Sequence, residues 1–163
     1  MPESLVQITD KKGRLIGSAG MLDAFDQGLV RHTAYCLLSD PEGRLLLQRR
    51  SDSSPNYPGH WEMSAGGHID EGETPEQAAR RELSEELGIN DVKLSRKTEF
   101  YYESEGDGRT YRYYAHIFMG SYDCIEKLHP EASEVSEVRF FLSSEVSGLN
   151  KVTPITRHVL EAL

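Results

Sequence analysis

The stretch GHIDEGETPEQAARRELSEELGI, residues 67–89, carries the strongest structural signals in the chain. Thr74 suits the N-cap of a helix and Pro75 its first position, and Gln77 completes a capping box with the threonine. The residues that follow are mostly good helix formers, and Gly88 stands where a helix often ends in a left-handed cap. The sequence therefore predicts a helix in the second half of this stretch, after an acidic loop.

The predicted helix carries an acidic face. Glu82, Glu85 and Glu86 are spaced i, i+3 and i+4, so their side chains share one side of the helix. Three neighbouring carboxylates repel one another, and either a cation or the basic Arg80 and Arg81 must offset that repulsion. Mg²⁺, or Mn²⁺, fits because hard cations combine a few carboxylates with waters and phosphate oxygens. The alternative is an acidic helix face that is simply solvated.

The rest of the chain predicts an α/β domain. Ala79, Leu83 and Leu87 form a second stripe on the helix that can pack on a sheet. Strands are expected at residues 5–8 and 14–17 as one hairpin, 32–38 and 44–48 as another, and at 92–94, 98–102, 110–119 and 135–142. Residues 18–28, 51–60, 103–109 and 120–134 are expected as connector, loop, turn and loop, and two short helices follow. This mixture predicts one domain over residues 1–163.

Composition and charge exclude several classes of protein. The formal net charge is −9, which disfavours a partner that is a nucleic-acid polymer. There is no apolar run long enough to cross a bilayer, and Met1 to Thr9 lack the pattern of a secretory signal. Cys36 and Cys124 suggest neither a disulfide framework nor a zinc cluster. We therefore expect a cytoplasmic protein with no membrane partner.

The fixed positions of residues 67–89 follow the Nudix box: Gly, five residues, Glu, seven residues, then Arg-Glu-apolar-x-Glu-Glu-x-Gly-apolar. They are met by Gly67, Glu73, Arg81, Glu82, Leu83, Glu85, Glu86, Gly88 and Ile89. The chain thus resembles the Nudix hydrolases. The resemblance implies an α/β/α sandwich with a mixed central sheet. It also implies hydrolysis, with Mg²⁺ or Mn²⁺, of a nucleoside diphosphate linked to another group.

The resemblance also implies roles for residues of the box. Glu82 and Glu86 would be metal ligands, Glu85 would complete the cluster, and the Gly67 carbonyl would join them. The metal would neutralise diphosphate oxygens and lower the pKa of an attacking water. A general base is needed as well, and Glu82 or Glu85 could serve.

Two further sets of acidic and basic residues follow from the resemblance. Glu73 and Arg81 would pair and orient the loop against the helix, which is a structural role. Many family members place another acid before the last strand, where Glu131 and Glu134 stand in this chain. We favour Glu134 as an additional metal ligand, and a solvated loop acid is the alternative.

A narrower resemblance is to the Nudix branch that includes isopentenyl-diphosphate isomerase. It rests on the segments LVQITDKKGRLIGSA, GLVRHTAYCLL and LLLQRRS…YPGHWEMSAGGHI. The isomerase needs a catalytic cysteine where this chain has Gly66. Its metal-binding histidines are matched by His32 and His68, but the strand predicted at 110–119 lacks its acids. Glu103 and Glu105 fall in the predicted turn, and isomerisation is therefore disfavoured.

Several side chains are candidates for contacts with substrate. Arg50 matches a diphosphate-binding arginine of the isomerase, and Arg49 is its neighbour. Adjacent strand residues point in opposite directions, so we expect only one of the two at the site. His68 could touch substrate phosphate or play a hydrogen-bonded structural role. Aromatic residues could stack on a base or could be core and cross-strand pairs: Tyr57, Trp61, Tyr101, Tyr102, Tyr111, Tyr113 and Tyr114.

Three functions remain open from the sequence. A metal-dependent hydrolase of a small-molecule diphosphate is preferred, because every carboxylate of the box is present. The alternatives are an isomerase of a short isoprenoid diphosphate and a catalytically silent nucleotide-binding module. No motif names the leaving group, and a homodimer is an additional option for assembly.

Overall fold

The computed structural model describes residues 4–163. The first three residues of the Met1 to Thr9 stretch considered above lie outside that range. The strands are β1 (Leu5–Thr9), β2 (Leu15–Gly20), β3 (Val30–Ser39), β4 (Leu45–Arg50), β5 (Trp61–Glu62), β6 (Ala65–His68), β7 (Ser95–Gly106), β8 (Arg109–Ser121) and β9 (Val135–Phe141). The helices are α1 (Met21–Asp26), α2 (Pro75–Leu87), α3 (Ser143–Val146) and α4 (Pro154–Glu161), with a single 3-10 turn at Ile125–Lys127.

Strand β3 is the centre of a mixed sheet. Along one edge it pairs in parallel with β8, from Arg31 opposite Tyr113 to Ser39 opposite Ser121. Its other edge is shared by β1, β6 and β4, which all run antiparallel to it. Because β6 occupies the middle of that edge, β4 pairs with β3 at two positions only and otherwise pairs with β9 and β5. The predicted second hairpin is therefore present, but its two strands diverge soon after the turn.

Helices cover both faces of the sheet. The predicted stripe of Ala79, Leu83 and Leu87 on α2 is fully buried in one core, with residues such as Leu38 and Phe118. Each leucine there contributes roughly 2 kcal/mol relative to an exposed position. The opposite face packs against α3 and α4 through Val146, Ile155 and Val159. The α/β/α sandwich with a mixed sheet is thus confirmed. Within residues 4–163 no helix is both long and apolar enough to cross a membrane.

The ends of α2 are those predicted. The Thr74 side chain accepts a hydrogen bond from the Gln77 backbone N–H at 3.1 Å, and the Gln77 side chain accepts from the Thr74 N–H at 2.9 Å. Gly88 has a φ of 72°, so the helix ends in a left-handed residue that favours glycine. Capping therefore sets where α2 begins and ends, and with it the position of the acidic face.

Three of the predicted elements are wrong, and the first two lie at 18–28 and 92–94. The expected connector at 18–28 holds the end of β2 and the helix α1, whose Ala24 is fully buried. The expected strand at 92–94 is irregular backbone. Val92 and Leu94 are nevertheless buried, and that burial is what made the segment resemble a strand.

The predicted turn at 103–109 is also wrong. Strands β7 and β8 form a long hairpin whose turn is only Asp107-Gly108, with φ values of 53° and 73°. Both residues have positive φ, as a two-residue turn of the primed type requires, and Asp-Gly is a common sequence for it. Glu103 and Glu105 consequently lie in β7, and both are exposed.

Candidate functional site

A cavity of about 640 Å³ opens beside the N-terminal end of the box and collects most of the predicted site residues. The acidic face of α2 contributes Glu82, Glu85 and Glu86 to its wall. Glu62 from β5 and Glu134 from the loop before β9 bring two more carboxylates. With Asp70 from the loop of the box, six acidic side chains therefore line one cavity.

Glu86 is the most buried of these acids, with 3% of its surface exposed. One carboxylate oxygen accepts from the Gly66 N–H at 3.0 Å, and the other accepts from the Gln48 side-chain amide at 2.5 Å. Burial raises the pKa of Glu86 well above its usual range, and the nearby Glu62 and Glu82 raise it further. Two hydrogen bonds thus hold this carboxyl group in one orientation, and within residues 4–163 it forms no ion pair.

Glu82 lies beside the glycine that opens the box. Its side chain is 12% exposed and accepts from Arg81 at 2.9 Å. Burial raises its pKa to about 7, against the lowering effect of Arg81, and Glu85 adds to the rise. A Cβ atom at Gly67 would lie 2.3 Å from a Glu82 oxygen, so the glycine is needed for this close approach. Glu85 itself is 55% exposed.

Arg81 joins the loop of the box to the helix. Its guanidinium donates to both oxygens of Glu73, at 2.6 and 2.9 Å, and to the His68 carbonyl at 2.9 Å. On its other side it reaches Glu82 at 2.9 Å and Glu85 at 3.4 Å. In the structure the ion pair of Glu73 and Arg81 therefore connects the loop of the box to α2. The same arginine partly balances the charge of the acidic face.

The arginines at the end of β4 point in opposite directions. Arg50 lines the cavity and donates to both oxygens of Glu62 at 3.1 Å. Arg49 lies outside the cavity and contacts Ser136 and Asp52. The alternation of strand side chains thus brings one of the two candidate arginines to the site, already paired with an acid.

The loop before β9 brings one of its two candidate acids to the cavity. Glu134 lines the cavity, whereas Glu131 does not. The Glu131 N–H donates to the Glu86 carbonyl at 2.9 Å, and the Glu131 side chain accepts a hydrogen bond from the Ser133 hydroxyl at 3.0 Å. Backbone pairing with the end of α2 therefore positions this loop.

Several residues at the site were not anticipated from the sequence; of these, Glu62 lines the cavity, whereas Gln48 and Gln7 do not. Gln48 is fully buried and holds Glu86, Glu62 faces Arg50, and Gln7 donates to the Asp70 and Glu73 carbonyls at 3.0 and 2.8 Å. A signal existed for Gln48 alone: a polar residue in an otherwise apolar buried strand, LLLQ, requires a partner.

The aromatic residues divide between the cavity and the core. Tyr35, Tyr57, Tyr102, Tyr111 and Tyr113 line the cavity. Trp61 packs edge-to-face on Phe141, and neither Tyr101 nor Tyr114 reaches the cavity. Core or cross-strand packing is thus confirmed for Trp61 and for Tyr101, which lies opposite Tyr114, and stacking on a base stays a prediction for the tyrosines at the cavity.

The donor set suits a hard divalent cation. Buried carboxylates with raised pKa values gain from a nearby positive charge, and oxygen ligands are those Mg²⁺ and Mn²⁺ prefer. As the side chains stand, residues 4–163 contain no group of three or more His, Cys, Asp or Glu placed to hold an ion. A cation at Glu82 and Glu86 would therefore use other oxygens as well, and backbone carbonyls and phosphate oxygens are suitable.

Comparison with known proteins decides the family. A model of the NUDIX domain matches residues 29–163, most of the chain. The chain belongs to the Nudix hydrolases.

Relatives of this Nudix hydrolase carry two kinds of name. An uncharacterised Nudix hydrolase of Pseudomonas aeruginosa is 35% identical over 136 residues, which cover 83% of this chain and 77% of the relative. Isopentenyl-diphosphate Delta-isomerase of Streptomyces griseus is 30% identical over 162 residues, covering 98% and 81%. A crystal structure from Deinococcus radiodurans has a TM-score of 0.79 at 17% identity, covering 97% of this chain and 98% of that one. That last likeness shows the shared fold.

The position of the isomerase cysteine is closed in this Nudix hydrolase. It is occupied by Gly66, and a Cβ atom there would lie 2.2 Å from a ring carbon of Tyr35. A cysteine could be accommodated only if Tyr35 moved. The structure therefore adds a steric reason to the absence of the thiol.

The side chains of the two histidines shared with the isomerase lie in different parts of this Nudix hydrolase. His68 lines the cavity, and burial with the nearby Arg31 and Arg81 lowers its pKa to about 3. His32 faces away from the cavity and lies 2.8 Å from the Gln7 side-chain oxygen and 2.7 Å from His116. The two side chains therefore belong to separate environments.

The His32–His116 pair predicts a stability loss in mild acid. Burial, together with the positive charges of its neighbours, lowers the pKa of each ring to about 4, below the ordinary 6.5. Glu99, 3.0 Å from His116, opposes this lowering, but for His32 its effect is smaller than that of burial. Between about pH 6.5 and 4 the unfolded chain therefore binds protons that the folded protein does not, and the free energy of unfolding falls as pH falls.

Thermal melts at pH 7 and pH 5 check this. We expect the drop in Tm between them to be smaller in His116→Gln than in the wild type, because one titrating ring is gone. The exposed His129→Gln variant is the control and should follow the wild-type profile. An equal drop in all three proteins would contradict the prediction.

Proposed function

We propose that this Nudix hydrolase cleaves the diphosphate linkage of a nucleoside diphosphate derivative or a related organic pyrophosphate. The metal would be Mg²⁺ or Mn²⁺, held by Glu82, Glu85 and Glu86 with the Gly67 carbonyl, and Glu134 would be an additional ligand. The observation that carries the proposal is the burial of Glu82 and Glu86 together, with raised pKa values and, within residues 4–163, an ion pair to Arg81 alone. A buried, under-neutralised acidic pair is costly for folding and is best explained by a cationic ligand.

The residues of the cavity divide the chemistry between them. A bound divalent cation would supply charge neutralisation of the diphosphate oxygens and a more acidic water. Glu82 or Glu85 would take the proton from the attacking water, and a pKa of about 7 puts Glu82 in the range that suits a base at neutral pH. Arg50 and His68 would contact the diphosphate from the cavity wall. Arg81 would act as a positioning residue through Glu73 and Glu82.

A panel assay tests the proposal. The purified protein would be incubated with Mg²⁺ or Mn²⁺ and a set of nucleoside diphosphate derivatives, with isopentenyl diphosphate as an additional substrate. Metal-dependent release of phosphate or a nucleotide is the expected result, and EDTA should abolish it. Release of no product from any member would support a silent binding module instead.

Isomerisation is the second candidate because relatives of this chain carry that name. The same panel separates the two activities. An allylic product formed from isopentenyl diphosphate without phosphate release would overturn hydrolysis. The closed position at Gly66 leads us to expect no such product.

Glycine 67 provides a geometric test of the Glu82 site. In Gly67→Ala the new methyl group would displace the Glu82 carboxylate, and a shift of about 1 Å at a catalytic group can lower kcat by about a hundredfold. Gly17→Ala in β2 is the matched control, because nothing lies within 4 Å of a Cβ atom there. Steady-state kinetics of both variants would check this, and a Gly67→Ala enzyme with wild-type kcat would show that Glu82 need not stay in place.

A further inference from the structure

Arg31 is a buried cation with no acidic partner among residues 4–163. Only 3% of its surface is exposed, yet it contributes to the wall of the cavity. None of the ion pairs within residues 4–163 involves it, and its Nε–H has no hydrogen-bond acceptor there. By contrast, Arg50 in the same cavity is paired with Glu62, and Arg81 with Glu73. Arg31 is thus the arginine of this cavity whose charge is left unbalanced.

Two aromatic rings lie close to the Arg31 guanidinium. Its Cζ lies 4.7 Å from the centre of the Phe25 ring and 4.8 Å from that of Tyr113. The two rings supply cation–π attraction and occupy contacts that a stacking ligand would need. One Nη atom lies 3.4 Å from the His68 Nε2. His68 provides no compensating negative charge, because a histidine ring is neutral or positive.

An unpaired arginine held in this way is costly unless it binds something. Taking a guanidinium out of water without a countercharge opposes folding, and ring contacts recover only part of that cost. Arginine N–H groups form their strongest hydrogen bonds with carboxylate and phosphate oxygens. The missing partner is therefore expected to be an anion, and the cavity is where it would arrive.

We propose that Arg31 forms an anion subsite that binds a phosphoryl oxygen of the substrate, separately from the carboxylate cluster of α2. The assignment rests on the proposed function for the identity of the ligand as a diphosphate. The N–H groups of Arg31 donate hydrogen bonds to the phosphoryl oxygens, while Phe25 and Tyr113 keep the guanidinium from stacking on a base. Arg31 therefore selects for the anionic part of the substrate and not for its base.

Binding of methylenediphosphonate, a diphosphate analogue whose P–C–P bridge is not hydrolysed, tests the subsite. Its Kd would be measured by calorimetry in Mg²⁺ buffer for the wild type, Arg31→Met and Arg31→Lys. We expect Arg31→Met to weaken binding by about tenfold or more, the range for hydrogen bonds to a charged group. Arg31→Lys should recover only part of that loss, because an ammonium lacks the planar fork.

The matched control is Arg109→Met. Arg109 stacks on the same Phe25 ring, with its Cζ 5.1 Å from the ring centre, but it is exposed and outside the cavity. Its loss should leave the Kd within twofold of wild type. Thermal melts add a second measurement: Arg31→Met should be at least as stable as wild type without ligand, because an unpaired buried charge is removed.

Each outcome decides the assignment. Wild-type affinity in a folded Arg31→Met or Arg31→Lys variant would overturn it, as would equal losses of affinity in Arg31→Met and Arg109→Met. Arg31-dependent binding with no hydrolysis of any panel member would keep the subsite and reject the proposed function. Hydrolysis of a panel member together with a Kd that does not depend on Arg31 would keep the proposed function and reject the subsite.

Discussion

Replacing Glu86 by glutamine is expected to lower kcat for diphosphate hydrolysis by at least about a hundredfold. A metal that stabilises the transition state contributes several kcal/mol, and each 1.36 kcal/mol is a factor of ten in rate. The substitution removes the charge of the most buried acid at the cavity while keeping its shape. KM for the substrate should change less than kcat. The measurement is steady-state kinetics at saturating Mg²⁺, with the Mg²⁺ dependence recorded for both proteins.

The same variant should fold at least as stably as the wild type in the absence of metal. Burial and neighbouring acids already raise the pKa of Glu86, so neutralising it relieves repulsion with Glu82 and Glu62. The amide introduced by Glu86→Gln would meet Gln48, whose side-chain oxygen has no hydrogen-bond partner within residues 4–163. Rotation of the Gln48 amide would let that oxygen accept the new N–H, at the loss of the Gln48 hydrogen bond to the Ser64 carbonyl, which offsets part of the relieved repulsion. A rise or no change in Tm is the expected result of a thermal melt without Mg²⁺.

Glu76→Gln is the control for both measurements. Glu76 lies on the same helix but is paired with Arg80 at the surface and does not reach the cavity. Its substitution should leave kcat and Tm close to wild type, because exposed ion pairs contribute little. Wild-type kcat in Glu86→Gln would remove this residue from the proposed metal ligands.

Removal of Arg81 should be the most destabilising change at the site. Arg81→Ala breaks a bidentate pair with Glu73 and leaves that acid and the His68 carbonyl without their donor. Breaking a buried pair costs about 3–5 kcal/mol, and because Arg81 and Glu73 are 25% and 20% exposed we expect about 2–3 kcal/mol. Urea unfolding at pH 7 would measure the loss. Activity should fall as well, since Glu82 loses the partner that orients it.

Two further variants serve as controls for Arg81→Ala. Arg80→Ala, one residue earlier, removes an exposed pair with Glu76 and a contact with the Val92 carbonyl. It should cost no more than about 1 kcal/mol. Arg81→Lys should fall between the two, because lysine keeps the charge and loses the fork. Equal destabilisation by Arg80→Ala and Arg81→Ala would contradict the claim that the Glu73–Arg81 pair stabilises the loop against α2.

The extent to which the fold could be predicted differs between local and non-local features. The caps at Thr74 and Gly88 act within a few residues, so the limits of α2 follow from its own sequence. The strand expected at 92–94 was wrong because buried apolar side chains on irregular backbone give the same pattern as a strand. The strand pairing of β3 with β6 and β8 joins segments far apart in the chain, and no spacing in the sequence specifies it.

The candidate site shows the same division. Glu82, Glu85 and Glu86 could be placed together because a helix repeats every 3.6 residues. Strand alternation likewise predicted that only one of Arg49 and Arg50 would reach the cavity. Glu62 could not be found in this way, and the polar Gln48 in an apolar strand indicated a need for a partner but not that the partner is Glu86. Both residues approach Glu86 only through the pairing of β4 with β5 and the packing of α2.

The sequence by itself determined the helix and its acidic face, since both depend on capping and on helical repeat. It also determined that the isomerase cysteine is absent at Gly66. Only the tertiary structure decided which charges are balanced, because balance depends on distance and burial between distant segments. Within residues 4–163, folding left Glu82 and Glu86 under-neutralised and buried Arg31 without an acidic partner. Those unbalanced charges are the physical basis for the proposed cation at Glu82 and Glu86 and the proposed anion at Arg31.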